Sequence, residues 1–428
     1  MKNLSLPTHF SENPNNMKHL KFNVFICAAL CAALAGGLFA GCSSGGGDGE
    51  AEKPLALNSS EEVEVTDSGY VLTERDKERR ADTAMGYFLI MPPASQLLEM
   101  ADNPDQWAET LQIIDAMGAG EGHFLRYYSD DEMKRIFTFM NDRGIKLTLE
   151  GPAVKEWGHE TGNRDTMVGN TAEKVFKNQL PVWNRIRENG GVIDSMAFDE
   201  PLLNVLLFPI NAGDEYKDVR QRERASQYPP EVYEGLFRYA ARETAKFMKL
   251  VREEIPGIKL GDAEVHWGML EAEDLIYWID ILNEECEAIG TPRPDFFRLD
   301  VNWAIYHIHY EDSLEGWREI KKVEEYCKSI GMPFSLIYWS SDIHFRPDSS
   351  HYRGSPNPKW NEYPGGWYDG VMQQGADVAA VGIKPDQVIV ETWVTDSEGV
   401  WIPYETIPEN KEHTFTKSAL DLYNAYFS

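Results

Sequence analysis

The chain has 428 residues, with 70 acidic against 41 basic side chains for a formal charge of −29, and its hydrophobic and aromatic fractions are 42% and 12%. That composition is globular, which excludes wholesale disorder, a collagen-like chain and a coiled coil, and the length provides for one large domain or two ordinary ones. So large an acidic excess repels phosphate backbones, whose binding rests on Lys and Arg, and it excludes DNA and RNA as expected partners.

Lys18 and Lys21 precede an uncharged apolar run from Phe22 to Gly41, the pattern of a secretory signal. The run ends Leu38-Phe39-Ala40-Gly41-Cys42 and continues into Ser43-Ser44-Gly45-Gly46-Gly47. This stretch resembles a bacterial lipobox, with Phe39 where Leu is usual. The resemblance implies a signal peptide over residues 1–41 and lipidation of Cys42. The expected topology is anchored rather than spanning, at an outer membrane or cell surface, with a periplasm-facing anchor as the variant. Residues 42–80 are Gly-, Ser- and acid-rich without apolar periodicity and read as a flexible tether. Beyond the signal and Cys42 only Cys286 and Cys327 remain, too few for a disulfide scaffold or a zinc site.

From about residue 81 to the end the chain alternates apolar strand runs with helical patterns. The predicted strands are Tyr87–Met91, His123–Tyr128, Ile145–Glu150 and Ile193–Asp199, followed by Ile258–Val265, Phe296–Trp303, Phe334–Trp339 and Val388–Trp393. Helix signals lie between them. Asn103-Pro104 opens one helix with the face Trp107, Leu111 and Ile114, and Ser129-Asp130-Asp131-Glu132 is a capping box. A long helix starts after Pro229-Pro230 and stops at Pro256-Gly257. Two later helices end alike, at Ile289-Gly290 and Ile330-Gly331, and a last one is expected over Lys417–Phe427. Eight strand–helix units predict a single (β/α)₈ barrel with long loops after strands four and seven. An open doubly wound sheet is the competing architecture. The turn after strand one is Met91-Pro92-Pro93, with no glycine-rich phosphate loop, so no nucleotide cofactor is expected.

In a barrel the chemistry sits where the strands end. Strand three ends in Glu150, strand four runs into Asp199-Glu200-Pro201, and strand five reads Asp262-Ala263-Glu264-Val265-His266-Trp267. Strand six carries Arg298, Asp300 and Asn302 on one face by alternation, and strand eight ends Glu391-Thr392-Trp393. Arg298 with Asp300 also reads as a buried structural pair, and Glu150 and Glu264 as structural acids. Collected carboxylates at five strand ends are expensive to bury without a purpose. Trp267, Trp303, Trp339 and Trp393, four of the twelve tryptophans, stand at the ends of strands five to eight. They offer flat apolar faces that suit sugars, or else plug the barrel mouth.

Glu200-Pro201 after the strand-four run is similar to the Asn-Glu-Pro motif of the clan-A glycoside hydrolases. Asp199 stands in place of Asn, and the second Glu appears on strand eight instead of strand seven. The resemblance implies a glycosidase with Glu200 as general acid. Glu391 is expected as its ionised partner at an open mouth, with Asp300 in reserve. Asp199, Glu264, His266, Asn302 and the four tryptophans are expected to line a site for a poly- or oligosaccharide. No divalent metal or other cofactor is expected. A non-catalytic glycan-binding lipoprotein and a metal-dependent sugar isomerase or epimerase are the alternatives.

Overall fold

A computed structural model describes residues 86–152, 171–266, 269–303, 306, 312–340, 366–393 and 401–428. The predicted signal, Cys42, the tether and Trp267 lie outside the described residues. Eight strands close into one barrel, β1 (Phe88–Met91), β2 (Ala116–Gly120), β3 (Lys146–Gly151), β4 (Ile193–Asp199), β5 (Lys259–Val265), β6 (Phe296–Asn302), β7 (Phe334–Trp339) and β8 (Gln387–Glu391). Every neighbouring pair is parallel, and β8 returns to pair with β1. The main helices of the outer ring are α1 (Leu97–Asp102), α2 (Ala108–Ile113), α3 (Glu121–Tyr127), α4 (Asp130–Asp142), α5 (Ala172–Glu188) and α6 (Pro201–Leu207). They continue with α7 (Pro230–Glu254), α8 (Ala272–Ala288), α9 (Ser313–Ser329), α10 (Gly366–Val381) and α11 (Phe415–Tyr426). Among the described residues no helix is long and apolar enough to cross a membrane.

Strand two is a correction. The aromatic run expected as a strand at His123–Tyr128 is helix α3, and the strand is the preceding Ala-Met-Gly-Ala-Gly. Strand preference measures fit to a packed surface more than an intrinsic backbone bias. Here small residues are what fits: a Cβ on Gly118 would stand 2.0 Å from the Thr148 carbonyl oxygen. The aromatics serve the helix layer instead. Phe124 packs 5.3 Å from Phe137, while the Tyr128 hydroxyl donates to the Ala94 carbonyl and accepts from the Leu97 N–H at 2.9 Å.

The local signals elsewhere have clear physical outcomes. Ser129 and Glu132 cap α4 reciprocally. The helix expected from Asn103 is split: α1 ends at Asp102, a short 3₁₀ turn spans Pro104–Trp107, and α2 follows. The carboxylate of Glu409, far along the chain, accepts the Glu109 and Thr110 N–H groups and so caps α2. The repeated Ile-Gly endings of α8 and α9 are one C-terminal motif. Gly290 and Gly331 take φ of +69° and +63°, and the next residues, Thr291 and Met332, donate back to the carbonyls of Cys286 and Cys327. The two cysteines therefore occupy equivalent positions of the repeat, both buried and unbridged.

Register decides which side chains enter the barrel. Thr148 of β3 faces Ser195 of β4 across a 2.9 Å hydrogen bond, and Ser335 of β7 faces Gln387 of β8 at 2.8 Å. Counting in twos from these pairs brings Glu150, Asp199, Asp300, Trp339 and Glu391 to the inner face near the strand ends. Below them Ala197, Ala263 and Phe296 form their own apolar cluster. Gly261 makes that cluster possible, because a Cβ there would lie 2.1 Å from the Phe296 ring. Gly261→Ala should therefore destabilise the barrel by about 1–3 kcal/mol through overpacking. In a urea-denaturation cycle with Phe296→Leu, the combined loss should be well below the sum of the single losses. Strict additivity would show that the ring is not the obstacle.

Candidate active site

The turn after β4 is strained. Glu200 takes φ 52° and ψ 47°, a left-handed conformation that costs a non-glycine residue roughly 1–2 kcal/mol. Its N–H donates to the Ala263 carbonyl at 2.8 Å, carrying the β4–β5 ladder one residue further, and its carbonyl accepts the Asn204 N–H at 2.9 Å to open α6. Glu200 stands at the N-cap of α6, yet its side chain makes no capping hydrogen bond. Glu264 of β5 does that work. Its two carboxylate oxygens accept the Leu202 and Leu203 N–H groups at 2.6 and 3.2 Å. The buried helix start is thus satisfied by a neighbouring strand and not by the Glu200 side chain.

Inside the mouth, Asp300 is half-buried and its Oδ1 accepts the Trp339 indole N–H at 2.5 Å. Protein crowding pushes its carboxyl well above the usual carboxylate range, and the charges of Glu200, Glu150 and Asp199 push the same way. Glu391 is 3% exposed. Burial raises its pKa well above the ordinary range, reinforced by the charges of Glu150 and Asp300 and by a hydrogen bond to the Glu150 carboxyl, while Arg298 opposes the rise. The expectation of an open setting for Glu391 is thereby corrected: it is a buried carboxyl, and its burial favours the protonated form. Arg298 lies wholly buried beneath, its guanidinium 5.0 Å over the Phe296 ring. It donates to Ser335 Oγ at 3.3 Å and Gln387 Oε1 at 3.1 Å, so Arg298 is a cation shared by several carboxyls rather than the partner of Asp300 alone. Trp393, just past β8, sits 4.2 Å from the Trp339 ring at 48°. These two indoles form one aromatic wall of the site.

Other expected residues point elsewhere. On β5 the inner positions belong to Gly261, Ala263 and Val265, so Asp262 and Glu264 face the helices. Asp262 accepts the Trp278 N–H of α8 at 2.6 Å, and burial raises its carboxyl to about 7. Glu264 is raised further by burial and by Asp262, and it serves as the α6 cap. His266 is buried, lowered to about 4 by desolvation and hydrogen-bonded to the Tyr306 hydroxyl through Nδ1. Trp303 lies behind the barrel, donating to Asp377 of α10 at 2.9 Å, and offers no face to the mouth. For Asn302 only the backbone is described, paired with Trp339.

Two residues at the true end of β2 escaped sequence reading because that strand was misplaced. Glu121 is buried, its carboxyl raised to about 8 by desolvation and held by the Trp183 N–H at 2.5 Å. His123 is lowered to about 4 by burial and meets Trp401 edge-on at 6.4 Å. The signal was the Gly120-Glu121-Gly122 sequence directly after a run of small residues. Among the described residues no three His, Cys, Asp or Glu side chains are grouped to hold a metal ion.

No protein-family model matches the chain, and no curated protein matches it. Solved structures do align with it. A D-psicose 3-epimerase from Clostridium cellulolyticum H10 has a TM-score of 0.36 and 11% identity, covering 79% of this chain and 97% of that one. An endoxylanase retrieved from sugarcane soil metagenome has a TM-score of 0.39 and 10% identity over 79% and 97%. A β-mannanase from Thermomonospora fusca has a TM-score of 0.35 and 12% identity over 73% and 80%. At this distance the likenesses distinguish no activity.

The strained turn is separable from the carboxyl it carries. Glu200→Gly removes the left-handed penalty and should leave the thermal midpoint unchanged or raised, while erasing whatever the carboxyl does. A fall of several degrees would mean that the Glu200 side chain holds the turn together.

Proposed function

We propose that this chain is an exported, lipid-anchored glycosidase that cleaves a poly- or oligosaccharide at the C-terminal mouth of its barrel. The observation that carries this reading is the buried Glu391, its carboxyl raised well above the ordinary range, set among half-buried carboxyls beside the packed Trp339–Trp393 pair. Glycoside hydrolysis requires one protonated and one ionised carboxyl flanking the scissile bond. Glu391, raised by burial, is the general acid in this reading and donates its proton to the departing glycosidic oxygen. Glu200 supplies the second carboxyl group from the opposite side of the eight-stranded ring, as nucleophile or as base toward water. Asp300 is coupled to both, feeling the charge of Glu200 and acting as a charge on Glu391. In this reading it hydrogen-bonds a sugar hydroxyl. The Trp339 and Trp393 indoles, buried against each other, form the apolar flank of that carboxyl cluster.

Glu391→Gln should slow cleavage about 10²–10⁴-fold, with the largest loss on substrates whose leaving groups need protonation. Glu200→Gln should abolish turnover for every leaving group, while glycan binding persists in both variants. Wild-type rates in both would sink the assignment. Binding without cleavage across a broad oligosaccharide panel would instead make the protein a glycan binder.

The anchor belongs to the same proposal. Cys42, after its lipobox-like stretch, would be the lipidated first residue, with residues 42–80 as the tether at the outer membrane or cell surface. Cys42→Ala should move the protein from the detergent-extracted membrane fraction to the soluble exported fraction, or leave it unprocessed. Unchanged membrane partitioning of a processed Cys42→Ala chain would rule the lipid anchor out.

A further inference from the structure

We infer that Glu150 and Glu391 form an acid pair holding one proton between two carboxyl groups, with Glu150 as the positioning residue for the proton of Glu391. The inference rests on the hydrolase reading only in giving that proton a use. The pair itself stands on geometry. Glu150 ends the inner face of β3 and lies in register with Gly120, so no β2 side chain stands beside it. Glu391 ends β8 in register with Met91. The two carboxyls meet in a hydrogen bond, and two carboxylates cannot make one without a proton between them.

The surroundings are built for a single shared proton. Arg298 Nε and one terminal nitrogen are taken by Ser335 and Gln387, while the buried Nη1 has no hydrogen-bond partner among the described residues. Glu391 Oε2 is likewise buried without a hydrogen-bond partner among them. A pair with one proton carries one negative charge, which the Arg298 cation balances; a pair with none would leave excess charge in a desolvated place. The other carboxyl acting on Glu391 is Asp300 from β6, which in turn feels Asp199 and Glu200 at the end of β4. The inner positions nearest the mouth on β1, β2, β5 and β7 are Met91, Gly120, Val265 and Trp339, which carry no charge. Asp300 bears on Glu391 as a charge, whereas Glu150 is both a charge and a hydrogen-bond partner.

The experiment reads protons rather than turnover, using the full chain labelled with ¹³C at the glutamate side-chain carboxyl. The Glu391 signal, assigned by its loss in Glu391→Gln, should titrate above the ordinary carboxylate range and respond to the same steps as the Glu150 signal. In Glu150→Gln the Glu391 midpoint should fall by at least about one pH unit, because a like charge is replaced by an amide donor. Glu150→Asp should restore much of the shift. An unchanged midpoint in a folded Glu150→Gln protein overturns the pair. Should that variant fail to fold, independent one-step titrations of the two carboxyls in the wild type overturn it equally. A protein that shows the coupled titration but cleaves no glycan refutes the hydrolase reading and leaves the pair standing.

Discussion

One guanidinium sets the electrostatics of this barrel. Arg298 is wholly buried, bonded to two neutral side chains, and subject to the fields of Glu150, Glu391 and Asp300 above it. A buried cation and several desolvated carboxyls are each costly alone, and together they limit one another. The carboxyls cannot all ionise, since one arginine offsets one charge. Those that remain protonated are therefore selected by position. Glu391, buried and hydrogen-bonded to Glu150, is pushed toward its neutral form.

The rest of the fold holds that arrangement in place. Gly261 and the small residues of β2 clear the interior so that Phe296 can fill the lower barrel and support the guanidinium. Glu264 satisfies the start of α6 from the outside, so the chain can turn sharply at Glu200 without using the Glu200 carboxyl as a cap. Strain in a left-handed glutamate persists only where the surroundings over-determine it. Here the ladder bond to Ala263, the proline that begins α6 and the cap from Glu264 together supply that constraint.

Much of the architecture is legible in the sequence because parallel barrel strands are apolar runs with sharp ends, and seven of the eight expected strands coincide with observed ones. Strand two was not legible, since its glycines and alanines answer to crowding from β3, a neighbour that local pattern cannot see. At the site, composition led correctly to the strand ends but could not give the phase of β5. Its acids alternate with Gly261 and Ala263, and only the bulk of Phe296 and Arg298 across the register forces the small residues inward. The tryptophans divide by the same parity. Trp339 and Trp393 fall in step with Ile337 and Glu391 on the inner face, whereas Trp303 is one residue out of step with Asp300 and turns to α10.

The acid cluster also gives the molecule a direction in pH. A carboxyl whose pKa is raised by folding binds its proton more tightly in the folded chain than in the unfolded one. Its contribution is fully present below the ordinary carboxylate range and is lost as pH rises through the folded value. Asp262 and Glu121 place that window between the ordinary values of 3.8 and 4.5 and the raised values of about 7 and about 8. Glu264, Asp300 and Glu391 act with the same sign. Near neutrality the fold thus carries these groups at a loss, offset by an apolar core that runs continuously from the barrel strands into the helices. Of the five, Asp262, Glu264 and Glu121 each hold an indole or a helix start in place, which accounts for their burial. Asp300 likewise holds an indole, that of Trp339, on the inner face of the barrel. Glu391 secures neither, and on the proposed reading chemistry at the barrel mouth is the reason to keep that desolvated acid.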